Sequence, residues 1–216
     1  MILKRTLLTA LALTYCIFSA PLVVANNAPE KVSFTPQQGQ LTKEIMHLLE
    51  QQHYQPRIND DGFANDVFTN YLTLLDPLKS YLNQADLAPY HYLQHELDNL
   101  LAQGDLRPMA DMYNLLQQRR LEFIDFNLTW LSQPSAMFNF ELNEHIAMAP
   151  QDAARQPDYL ATKNLWRKQL KNEFINGQLS NETQAQIKNR LEKRYLNMRK
   201  RVLQVELRDA YQALSN

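Results

Sequence analysis

From residue 187 onward, Ile187, Leu191, Tyr195, Met198, Val202 and Val205 recur at steps of four, four, three, four and three. Only an α-helix with one buried face repeats this way. Similar stripes run through most of the chain. The four glycines (39, 62, 104 and 177) argue for the same class, since average usage of about 7% predicts roughly fifteen and tight hairpins consume them. The expected fold is therefore all-α, an irregular bundle of about six helices with a short extended connection near residues 134–150. No repeat of 20 to 50 residues is present, which excludes a solenoid.

Punctuation places the helices. Thr35, Pro36 and Gln38 supply an N-cap, a first-turn proline and a capping-box glutamine. They open a first helix that reaches about His53, with Leu41, Ile45, Leu48 and Leu49 as its buried face. Phe63, Val67, Phe68, Tyr71, Leu72 and Leu75 form a second helix closed by Asp76 and Pro77. A third runs from near Asp86 to Ala102 and stops at Gly104, which suits a left-handed residue past a helix end. Asp105 caps the fourth, which reaches Leu131 and holds Pro108 in its first turn. The fifth, from about Asp158 to Asn176, buries Trp166, Leu170 and Phe174 and ends at Gly177. The sixth begins near Ser180 or Asn181.

The chain opens with Lys4 and Arg5, runs apolar to Ala20 and reaches small residues near Ala25, the pattern of an export signal cleaved after about Ala25. Thr14, Ser19 and Pro21 leave the run short of the roughly 20 apolar residues of a spanning helix, so stable membrane insertion after cleavage is not expected. Tyr15 stands before Cys16, the only cysteine, where a lipoprotein signal needs a small residue. Cleavage removes that cysteine and leaves no thiolate or disulfide chemistry. The expected organisation is a signal peptide (1–25), a flexible leader (26–34) and one helical domain (35–216), located in the periplasm.

Charge is unevenly placed. Residues 26–150 hold 7 basic and 16 acidic groups, and residues 151–216 hold 13 and 7. The halves attract, either as one complementary domain or as polar surfaces for a partner. A nucleic-acid partner is not expected for an exported chain of nearly neutral charge.

Candidate chemistry is sparse. His91 and His95 have the helical spacing that lets two imidazoles share a metal, but the order H-Y-L-Q-H-E lacks the glutamate between ligands of a metalloprotease. Glu141, Glu144 and His145 complete such a site only if the fold brings them near. Asp60, Asp61 and Asp66 are the densest carboxylates for a glycosidase-like pair, yet they read as helix-start acids. No G-x-S-x-G, phosphate-binding glycine loop or dinucleotide fingerprint occurs. No catalytic residue, cofactor or metal is therefore assigned. Lys188–Arg201 is a basic run around the last helix, either a solvated face or a site for an acidic partner.

Read in order, "QQHY" (51–54), "VFTNYLTLLDPLKSYLNQADL" (67–87), "DMYNLLQQRRLEF" (111–123) and "NRLEKRYLNMRKRV" (189–202) resemble the N-terminal domain of tail-specific proteases, or carboxyl-terminal processing peptidases. The resemblance covers roughly residues 40–214. It rests on the Y-L-x-x-L-D-P-x-x-x-Y-L turn and the tyrosine–arginine–arginine helix occurring in sequence. In that family such a module precedes a PDZ domain and a core with a serine nucleophile and lysine base, which have no counterpart in these 216 residues. The resemblance thus implies shared scaffold without proteolysis. The expected function is an exported, non-catalytic interaction or regulatory protein whose partner is a related protease core, an adaptor lipoprotein or a substrate. The alternative is a truncated or split fragment of a periplasmic serine–lysine protease. Tyr113, Arg119, Arg120, Arg190 and Arg194 are the residues expected at an interface. The paired arginines on the fourth helix are otherwise buried ion-pair partners, with Asp76 or Glu122 as the internal acid.

Overall fold

A computed structural model describes residues 29, 31–52, 61–133, 138–147 and 151–204. The expected export signal (1–25), residues 26–28, Val205 and the rest of the C-terminal stretch lie outside them. Seven α-helices account for the described architecture, without a strand among the described residues. They are α1 (Pro36–Gln52), α2 (Asp61–Leu75), α3 (Gln84–Leu87), α4 (Leu93–Ala102), α5 (Arg107–Ser132), α6 (Tyr159–Leu179) and α7 (Gln184–Leu203). Residues 138–147, within the expected extended connection, hold neither helix nor strand.

The 26-residue α5, roughly 39 Å long at 1.5 Å per residue, is the spine. Its first turns carry Met109, Met112, Tyr113 and Leu116 into one core with α1, α2 and α4. Its later turns carry Leu121, Ile124 and Leu131 into a second core around Trp166, Leu170, Ile187 and Leu191 of α6 and α7. Tyr81, in the turn after α2, packs against both.

Several ends form as their residues dictate. The Thr35 and Gln38 side chains each accept the other's backbone N–H, at 3.3 and 2.8 Å. Gly104 adopts φ +68°, and the Gly104 and Asp105 amides donate to the Leu101 and Leu100 carbonyls, the pair of hydrogen bonds that closes α4. At the start of α5 the N-cap is Leu106, without a side-chain cap bond, rather than the expected Asp105, which lies one residue earlier and accepts the Arg107 amide at 3.1 Å.

Three expectations are corrected. The third helix is interrupted. Asn83 and Asp86 form a capping box on the four-residue α3, and Pro89, with no N–H to give, turns Ala88–Tyr90 into a 3₁₀ turn before α4. Gly177 does not end its helix. It is buried in the last turn of α6, where a Cβ would lie 2.5 Å from Ile187 Cγ1, so glycine serves the close approach of α7 and Asn181, at φ 60°, makes the turn. On α1, Leu41, Ile45 and Leu48 are exposed. The inward ridge is Gly39, Thr42, Met46 and Leu49. A Cβ on Gly39 would stand 2.6 Å from the Gly104 carbonyl oxygen, and this backbone contact sets which face of α1 turns in.

The acidic and basic halves of the chain meet within the molecule. Asp76 pairs with Arg155, Glu144 with Arg167 and Lys171, and Asp125 with Arg199.

Candidate interaction surfaces

The D-P-x-x-x-Y-L turn is built around one carboxylate. Asp76, 1% exposed, accepts the Ser80 amide on Oδ1 at 2.9 Å, and the Leu82 and Tyr81 amides on Oδ2 at 3.1 and 3.3 Å. Lys79 takes the left-handed φ of 50° that lets the loop fold back on this oxygen pair. Arg155 closes the cage, donating from Nη1 to Asp76 Oδ2 at 2.6 Å and to the Leu82 carbonyl at 3.2 Å. The buried Trp166 indole N–H donates to the Ser80 carbonyl at 2.6 Å, and the Lys79 ammonium to the Ala153 carbonyl at 2.8 Å. The turn between α2 and α3 is thereby fastened to α6 and the segment leading into it. The chemistry is structural: a carboxylate that is 1% exposed and accepts from three backbone amides and a guanidinium is committed to holding the turn.

The five residues expected at an interface fall in three places. Arg119 lies over the Tyr159 ring, 4.7 Å from its centroid, and donates to Asp86 at 2.6 Å and Glu122 at 2.7 Å. These bonds raise its affinity for its proton still further, Asp86 contributing most. Burial, with Glu122 assisting, pushes the Tyr159 hydroxyl up to about 12. Arg120 donates to the Leu75 carbonyl at the end of α2 and lies over the Tyr81 ring, sharing a cleft with the buried Tyr113. On α7, Arg190 bridges Glu182 at 3.0 Å and Glu173 at 3.7 Å, and Arg194 reaches Glu173 at 2.8 Å. Their side chains stay 42% and 41% exposed. Of the internal acids weighed for the α5 arginines, Glu122 is used and Asp76 belongs to Arg155.

Arg155, the closing cation of the turn, carried no sequence signal, since it lies 79 residues from its partner in an aperiodic stretch. Glu144 was weighed as a metal ligand. It is committed instead to Arg167 and to Lys171 at 2.8 Å, and these bonds, Arg167 first, hold its carboxyl down at about 2. Lys171 also donates to the Asn139 and Leu142 carbonyls, pinning residues 138–147 to α6. His91, His95 and Asp66 are exposed, and Asp60 and the Asp61 side chain lie outside the described residues. Among the described residues, no group of three or more His, Cys, Asp or Glu is placed to hold a metal ion.

The surface of α1 is of another kind. Leu41, Ile45 and Leu48, at steps of four and three, are 46%, 42% and 52% exposed on one side of the helix. Singly exposed leucines are ordinary, but three in register form an apolar stripe such as marks a contact face. No described helix is long and apolar enough to cross a membrane.

The family described as "Tail specific protease N-terminal domain" matches residues 45–216. A tail-specific protease of Haemophilus influenzae is 30% identical over 179 residues, covering 81% of this chain and 25% of that protein. The chain thus spans about a quarter of the curated relative it matches.

Proposed function

Because the chain belongs to the tail-specific protease N-terminal domain family, we propose that it is an exported, non-catalytic interaction protein whose partner is the core of a related protease. The observation that carries this reading is the exposed Leu41–Ile45–Leu48 stripe. These water-facing aliphatic side chains are 42–52% exposed, so a partner surface that covers them restores about half of the roughly 1.5–3 kcal/mol that full burial of each contributes. The matched relative is four times longer than the aligned part, so in that protein this module lies beside a large additional body. Arg190 and Arg194 offer a second accessible face to the same partner.

The test is calorimetric titration of the purified chain with the remaining three quarters of the Haemophilus influenzae relative. Saturable binding is expected, weakened about tenfold or more by Ile45→Lys. That variant keeps its helical circular dichroism, since the side chain already faces water. Equal binding by wild type and variant would refute the α1 assignment, and no binding would refute the partner. The second reading, a fragment of a serine–lysine protease, draws on the 25% coverage. It is tested by whether the next downstream reading frame encodes a PDZ domain and core without their own export signal.

A further inference from the structure

Every arginine among the described residues has a carboxylate partner within salt-bridge reach except Arg120 and Arg201. Both line one cleft of about 350 Å³ between α5 and the last turns of α7. That size is at the lower end of small-ligand sites. Arg120 gives one nitrogen to the Leu75 carbonyl, and its remaining N–H groups have no acceptor among the described residues. Arg201 is exposed in the final turn of α7.

A third residue of the same cleft is unpaired in a more costly way. Gln117 is 1% exposed, and both its Nε2 and its Oε1 are buried without a hydrogen-bond partner. It lies between Tyr113 and Arg120 on one face of α5, with Ile124 one turn further and Met198 and Val202 of α7 opposite. A buried polar group left unmet costs about 1–3 kcal/mol, so a leucine here would serve the core better. A carboxamide that offers a donor and an acceptor side by side matches a backbone peptide group, which presents the complementary pair. Two guanidiniums with open donors match a carboxylate, and Ile124, Met198 and Val202 match an aliphatic stem.

We propose that the α5–α7 cleft binds an extended acidic peptide segment, with the Gln117 carboxamide paired to a backbone peptide group and Arg120 and Arg201 holding an adjacent side-chain carboxylate. This site is separate from the α1 stripe, and it stands if the protease-core reading fails.

The experiment is an NMR titration of the full chain, following the Gln117 side-chain amide, with acetyl-Ala-Glu-Ala-amide as probe. Its uncharged isostere acetyl-Ala-Gln-Ala-amide and acetyl-Ala-Ala-Ala with a free carboxyl terminus serve as comparisons. The glutamate peptide is expected to shift the Gln117 resonance saturably, and the glutamine peptide to bind about tenfold more weakly. Arg201→Ala and Gln117→Leu are each expected to weaken the glutamate peptide by about the same factor, and Gln117→Leu to raise Tm. Should Gln117→Leu fail to fold, Arg201→Ala decides, because that side chain is exposed. Equal binding of the charged and uncharged peptides, or no shift at Gln117, would overturn the proposal. Preference for the free-carboxyl peptide would overturn the choice of an internal acidic segment.

Discussion

Replacing Arg155 by methionine keeps an aliphatic stem of similar reach but strips the cation from a carboxylate that is 1% exposed. Removing one partner of a buried ion pair costs about 3–5 kcal/mol, because the remaining charge is left uncompensated. Asp76 keeps three backbone amides at 2.9–3.3 Å, and hydrogen bonds to a charged group are each worth about 1.5 kcal/mol or more. The expected loss therefore sits at the lower end, about 3 kcal/mol. For a domain of this size that lowers Tm by about 6–12 °C. Urea denaturation followed by tryptophan fluorescence is the assay, since Trp166 donates to the Ser80 carbonyl in the same turn and reports its release. In a double-mutant cycle with Asp76→Asn, the two losses are expected to be strongly non-additive, with coupling of about 1.5–3 kcal/mol. A loss under about 0.5 kcal/mol, or an additive cycle, would refute the view that this ion pair fastens the two cores together.

Gly177→Ala places a methyl against the Ile187 side chain and is expected to cost about 1–3 kcal/mol despite alanine's better helix propensity. Ile187→Ala in the same chain relieves the clash, so chemical denaturation of the double variant should show less than the summed loss. Because Glu144 is held at about 2 against an ordinary 4.5, its contribution is full above the higher value and disappears as pH falls toward the lower. Glu144→Gln should therefore flatten the acid limb of Tm against pH between those values, and an unchanged slope would count against the Arg167–Lys171 pin. Tyr71→Phe removes a buried hydroxyl that donates to the Met109 carbonyl at 2.8 Å, and is expected to cost about 1 kcal/mol by thermal melting.

Local chemistry was the legible part of the fold. Thr35 with Gln38, the left-handed Gly104 and the tolerated Pro108 act within a few residues of themselves, so their sequence context already contains their partners. The opposed charges of the two halves were legible as a sum, though not as particular pairs. What stayed hidden depends on a neighbour distant in the chain. On α1, the sets 41/45/48 and 39/42/46/49 are both helical stripes, and only the approach of Gly104 selects the second as the inward face. Gly177 has the local signature of a terminator, and its role is set by Ile187 on the next helix. The interface candidates divide for the same reason. Arg119 finds Asp86 33 residues away, whereas Arg120, its neighbour in sequence, points into a cleft completed by α7.

Hydrogen–deuterium exchange of the chain alone, and mixed with the purified core of a related tail-specific protease, tests the central claim most directly. Slowed exchange in the peptides covering residues 41–48 upon mixing is the predicted result. Protection confined to other helices, or an exchange pattern identical with and without the core, would contradict the assignment of α1 as the contact face.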